Sequence, residues 1–192
     1  MSDGMAEDRL SRAFAAIDAA NAADPTLEEG RPAALLYGER MSAELERLHP
    51  EASEPLRIAA RGQHVERWLL PRADYPLGRE GYLEWRREQG RRHAARVGAI
   101  MAEAGYGAAE IEAAGRMLRK EAIKREPEAQ ALEDVICFVF IRFYLASFAA
   151  GRDAEALRKI VFKTARKMSA EARARAAAEF ALPAELALAF AG

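Results

Sequence analysis

The stretch Val135-Ile136-Cys137-Phe138-Val139-Phe140-Ile141-Arg142-Phe143-Tyr144-Leu145 decides how this chain folds. Wound into an α-helix, its apolar side chains cover the whole circumference, and Arg142 is its one charge. A helix that is apolar all round is buried among other helices. The apolar run extends to Ala150, still short of the roughly 20 residues a membrane span needs. No membrane partner is therefore expected. The helix carrying this run is expected from Pro127, suited to a first turn, to Ala150, where Gly151 can stop it. The other elements should pack around it.

Working outward, breakers divide the rest of the chain into helices at the 3.6-residue repeat. They are expected near Asp8–Ala23, Pro32–His49, Ser53–Trp68, Glu80–Ala104 and Ala108–Ile123 before the central one, and Asp153–Met168 after it. Ser169 caps an eighth, and Pro183 opens a last turn. The one long irregular segment, Leu69 to Arg79, holds two prolines, a glycine, two arginines and a tyrosine, the composition of a binding loop. Residues 1–7 are expected to be disordered. The fold class is all-α: one compact domain over residues 1–192, a bundle of seven to eight helices around a buried central helix.

Composition agrees. Val, Ile and Thr total only 15 of 192 residues, too few for a mostly β fold. The 29 basic and 30 acidic residues balance, so nucleic acid is not an expected partner. Cys137 is the only cysteine, which excludes an intramolecular disulfide and fits a reducing compartment. Met1 to Arg12 lacks the basic and apolar regions of a secretory signal, and a cytoplasmic location is expected. There is no glycine-rich phosphate loop, Gly-x-Ser-x-Gly, Cys-x-x-Cys or His-Glu-x-x-His.

What chemistry remains sits where apolar residues belong. Phased from Val97, Ile100, Met101 and Ala104, the core-facing line of the fourth helix runs back through His93, Gly90, Arg86 and Leu83. A buried arginine needs a partner, either a carboxylate such as Glu39, Glu66, Glu133 or Asp134, or an anion brought by a ligand. The third helix ends in Gln63-His64-Val65-Glu66-Arg67-Trp68, where His64 and Trp68, four apart, can stack. Glu133 and Asp134 enter the apolar helix and need a cation, a metal or backbone donors.

Ala19-Ala20-Asn21-Ala22-Ala23-Asp24-Pro25, Tyr37-Gly38-Glu39-Arg40-Met41-Ser42, Gln63 to Trp68, Pro71-Arg72-x-x-Tyr75-Pro76, Gly81-Tyr82-Leu83-x-Trp85-Arg86 and Leu132-Glu133-Asp134-Val135 resemble domain of unknown function 4202. The likeness runs over nearly the whole chain, and that family brings no activity with it. More weakly, the order of features is similar to the HD-type metal-dependent phosphohydrolases. That resemblance implies an HD-domain-like helical fold with one divalent metal ion on His64, His93 and Asp134. It makes Glu39, Gln63 and Glu133 the catalytic candidates. Gln63-His64 departs from the family's His-Asp pair, and glutamine is a poor transition-metal ligand.

Two functions are in view. One is an HD-like hydrolase of a phosphate ester or nucleotide, its metal generating hydroxide. The other is a non-catalytic module binding an anionic, nucleotide-like small molecule on the same scaffold. Either way Arg67, Trp68, Arg72, Tyr75, Tyr82, Trp85, Arg86 and Lys120 are the substrate-binding candidates. A helical partner-binding protein with no small-molecule site is the third class.

Overall fold

The computed structural model describes residues 3–191, with side chains from Asp8 onward. Of residues 1–7, expected to be disordered, 1 and 2 lie outside the described residues, while 3–7 open a helix. The architecture is all-α, with one two-stranded ribbon among the described residues. The chain groups into two compact units, residues 1–122 and 123–192.

The first unit opens with α1, Asp3–Asn21, which buries Ala13, Ile17 and Asn21 along one line. Asp24-Pro25 ends it, and Asp24 has a second task. Its carboxylate accepts the backbone N–H of Thr26 and of Ala34, each at 2.9 Å, so it caps the start of the next helix from a distance. Between lie β1, Leu27–Glu28, and β2, Arg31–Pro32, paired antiparallel through a turn in which Glu29 and Gly30 both take positive φ. Helix α2, Ala33–Leu48, buries Arg40, which pairs with Glu28 and Glu29 of that ribbon.

Helix α3 spans Glu54–Arg61, and the Ser53 hydroxyl accepts the Leu56 N–H as its cap. It stops seven residues short of the Trp68 expected from sequence, at Gly62. Two 3-10 turns come next, Arg67–Leu69 and Arg72–Asp74. Helix α4 is Gly78–Ala104, reaching the Ala104 expected and ended by Gly105 in the left-handed conformation. Its N-terminal turn lies tight on the preceding loop, because a Cβ on Gly81 would overlap the Pro76 carbonyl oxygen. Helix α5, Ala108–Leu118, lies against α4 at Gly90, where a Cβ would come within 3.1 Å of the Leu118 carbonyl oxygen. It ends before the Ile123 expected, and Lys120 and Ala122 take positive φ in the turns beyond.

The second unit begins with α6, Pro127–Val139, with Pro127 in its first turn. Every residue from Ala129 to Val139 is buried except Gln130 and Ile136. The expected uniform helix to Ala150 is interrupted. Phe140–Tyr144 forms a π-helical turn before α7, Leu145–Ala149. A π turn holds one more residue than an α turn and so rotates the helical residues beyond it. Ile141 and Leu145 stay buried while Arg142 and Phe143 come to the surface, with Arg142 paired to Glu179. Helix α8, Ala154–Ala165, is capped by Asp153, and α9, Ala170–Glu179, by Ser169, both as expected. Phe138 packs on Phe180 at 5.5 Å, and α10, Ala184–Ala187, completes the unit.

Candidate functional site

The site is built where α3 breaks. A Cβ at Gly62 would fall 2.5 Å from Val97 Cγ2, so only glycine lets the chain turn this close to α4. Three polar groups then hold the turn open. The Asn21 side-chain oxygen accepts the Glu66 N–H at 3.2 Å, and Glu66 sits at φ 52°, a left-handed position costly for a residue with a side chain. Gln89 Nε2 on α4 donates to the carbonyls of Arg67 and Leu70 at 2.9 and 3.1 Å. The Trp85 indole N–H donates to the same Leu70 carbonyl at 2.9 Å. Buried backbone carbonyls are thereby satisfied, and the turn is fixed to α4.

This arrangement gathers side chains from three segments. The His64 ring stacks on Tyr37 of α2, with centroids 3.7 Å apart and planes 11° from parallel. His93 of α4 stands 6.4 Å from His64, ring to ring. The Arg67 guanidinium lies 4.5 Å over the Trp85 ring. Tyr82 tilts against Trp85 at 6.0 Å, and Arg86 lies 5.8 Å over Tyr82.

The electrostatics of this pocket are one-sided. Burial holds the His64 imidazolium well below its usual range, and the nearby positive charges of Arg67, Lys120 and Arg86 push it further the same way, as does His93. His93 is pushed down to about 3 by burial, then by Arg67 and Lys120. Arg67 is itself lowered, chiefly by burial. Both histidines are therefore neutral at pH 7, and the charges acting on them are all positive. Among the described residues no carboxylate bonds Arg67 or Arg86. His93 is 4% exposed and Gln63 8%, yet His93 Nε2 and Gln63 Oε1 have no hydrogen-bond partner among the described residues. Buried polar atoms are nearly always satisfied, and orphans of this kind mark a place for a ligand.

Of the residues expected from sequence, His64, Arg67, Tyr82, Trp85, Arg86, His93 and Lys120 come together here. Arg86 is not buried as its phasing implied. The buried line in this half of α4 runs instead through Gly81, Trp85, Gln89 and His93, because the loop fastened at Leu70 covers that side. The cation turned inward here is Arg67, half-buried over the Trp85 ring. Trp68 lies in the 3-10 turn, and Tyr37 rather than Trp68 stacks on His64. Arg72 spends its guanidinium on the carbonyls of Tyr75 and Pro76, both at 2.9 Å, and so shapes the loop. Tyr75 is half-buried beside it. Glu39 pairs with Arg31 at 2.6 Å, which holds its carboxyl below the usual range.

In the second unit, Asp134 Oδ1 accepts from Gln130 Nε2 at 2.9 Å and from the Ser169 N–H at 2.8 Å. Buried Glu133 lies 3.6 Å from the Lys167 ammonium. Among the described residues no three His, Cys, Asp or Glu side chains are grouped to hold a metal ion. Sequence reading missed Tyr37, Gln89 and Asn21. Gln89 carried a signal: it lies four residues from both Trp85 and His93, a polar side chain on the line that closes the pocket.

The family model described as Domain of unknown function (DUF4202) matches residues 11–188. No curated protein and no solved structure matches the chain.

Proposed function

We propose that this chain, which belongs to the DUF4202 family, is a binding module for an anionic, phosphate-bearing small molecule held in the pocket of residues 37–120. One observation carries the reading. Two neutral histidines are acted on only by positive charge, and the half-buried Arg67 has no acid to balance it. Such a cluster repels itself until an anion enters. Arg67 would present a planar fork to phosphate oxygens. Trp85 is buried under Arg67, so a contact made on that side is strengthened by the lower local dielectric.

Metal-assisted hydrolysis draws support from the 6.4 Å approach of the His64 and His93 rings within the first unit. The cations acting on both rings would disfavour a divalent ion as they favour an anion. Charge therefore prefers the binding module. The test is elemental analysis of the purified protein together with thermal shift in phosphate and phosphorylated metabolites. A ligand at a hundred times its dissociation constant stabilises the fold by about 2.7 kcal/mol. Stabilisation by phosphate compounds without a stoichiometric metal supports this reading. A stoichiometric divalent metal with no anion effect refutes it.

A further inference from the structure

Two arginines border the pocket, and no carboxylate bonds either. Arg67 comes from the turn after α3 and lies 4.5 Å over the Trp85 ring. Arg86 comes from α4 and lies 5.8 Å over the Tyr82 ring. The two rings tilt against each other at 6.0 Å. The four side chains form one ladder, with a guanidinium at each end and aromatic faces between. The charge of Arg86 acts on Arg67, and the charges of both act on His64, so the two ends of the ladder belong to one site.

Later arginines of α4 are neutralised: Arg91 and Arg92 by Glu88, Arg96 by Glu66. The ladder is different. A ring face attracts a guanidinium and places it, but supplies no lone pair to its N–H donors. Each guanidinium carries five such donors and matches two oxygens of one phosphoryl group side by side. Arg67 and Arg86 rest on different rings, so they present two forks rather than one converging pair. The forks are graded in depth, since Arg67 is half-buried and Arg86 exposed. One tetrahedral phosphate fills one fork; two linked phosphoryl groups fill both.

We infer that the pocket takes a diphosphate, two phosphoryl groups joined through one oxygen, with the inner group on Arg67 and the outer on Arg86. This rests on the anion-site reading and names the class of anion. A monophosphate on Arg67 leaves the charge of Arg86 beside it uncompensated. A second phosphoryl group balances that charge, and like charges that repel in the empty site then hold one ligand from two sides.

The test is calorimetry on the full chain with inorganic phosphate and inorganic pyrophosphate, at matched ionic strength and without divalent cations. Pyrophosphate should bind about tenfold or more tightly, the scale of one further charge-assisted contact. Arg86→Met should bring that preference to about one while phosphate affinity holds. Arg79→Met is the control, because Arg79 is equally exposed on the same helix about two turns earlier. Its removal should leave the preference intact. A preference that falls equally in both variants is only the general attraction of a more highly charged anion, and it overturns the inference. Equal binding of the two probes, or a preference that survives in Arg86→Met, overturns it as well. Loss of both probes in Arg86→Met alone would put both arginines on a single phosphoryl group, against the two-fork site. All these outcomes leave the anion pocket standing. Failure of the wild type to bind either probe overturns both.

Discussion

His93 links the pocket to pH. Its folded-state value of about 3 lies far below the 6.5 of an unperturbed histidine, because it is buried among cations. Below pH 6.5 the unfolded chain takes up a proton that the folded chain refuses, so the unfolded state binds more protons. Stability is then fully present above pH 6.5 and falls as the pH drops toward 3. The slope approaches about 1.4 kcal/mol per pH unit for one such group. His64 is lowered for the same reasons and adds to the effect. His93→Gln keeps a polar side chain and cannot titrate. Urea midpoints measured from pH 7.5 to 4.5 should show a shallower acid loss in this variant than in wild type. Parallel curves would mean that His93 is already protonated in the folded protein. His93 was legible because it fell on the core-facing line of the fourth helix, while His64 was joined to it only by the resemblance to HD-type phosphohydrolases. Tyr37 was not legible, since nothing in its own helix points to a ring 27 positions away in a turn.

Helices α3 and α4 show what local pattern can and cannot give. Ser53, Asp153 and Ser169 announced three helix starts, and Gly105 a helix end, because capping is a matter of adjacent residues. The early stop of α3 is a tertiary event. Its continuation as helix is opposed by Asn21, Trp85 and Gln89, which reach in from α1 and α4 to take the backbone of Glu66, Arg67 and Leu70. The same cause moved Arg86 to the surface, since the buried line of α4 tracks whatever is fastened over it. The π turn at Phe140–Tyr144 had no sequence mark at all. At this scale the sharpest test is Gly81, the close approach that lets the 71–77 loop lie on α4. A methyl group there overlaps the Pro76 carbonyl. Gly81→Ala should cost about 3 kcal/mol, the upper range for overpacking, read as a lowered denaturation midpoint at unchanged slope. A midpoint within error of wild type would show that the loop moves aside freely.

Over the whole chain, 29 basic and 30 acidic residues nearly cancel, so ions in solution meet no large net charge. Other half-buried arginines of the first unit are paired: Arg9 with Glu54 and Glu110, Arg61 with Asp18, Arg96 with Glu66. Arg67, half-buried on Trp85 and lowered by desolvation, has no such acid. A variant at Arg67 therefore separates an anion effect at this place from general screening. Arg67→Met keeps an unbranched chain for the Trp85 face and removes the charge. Without ligand its stability should equal or exceed that of wild type, because an unbalanced half-buried charge is lost and no acid is left alone. In phosphate the order should reverse. Wild type should gain about 2.7 kcal/mol at a hundred times the dissociation constant, and Arg67→Met should gain nothing beyond what chloride gives at the same ionic strength. Two melting series, phosphate against chloride at matched ionic strength, measure both quantities at once. If Arg67→Met melts far below wild type in chloride, the guanidinium is a structural member with a partner of its own. The pocket then has no charge waiting for a ligand.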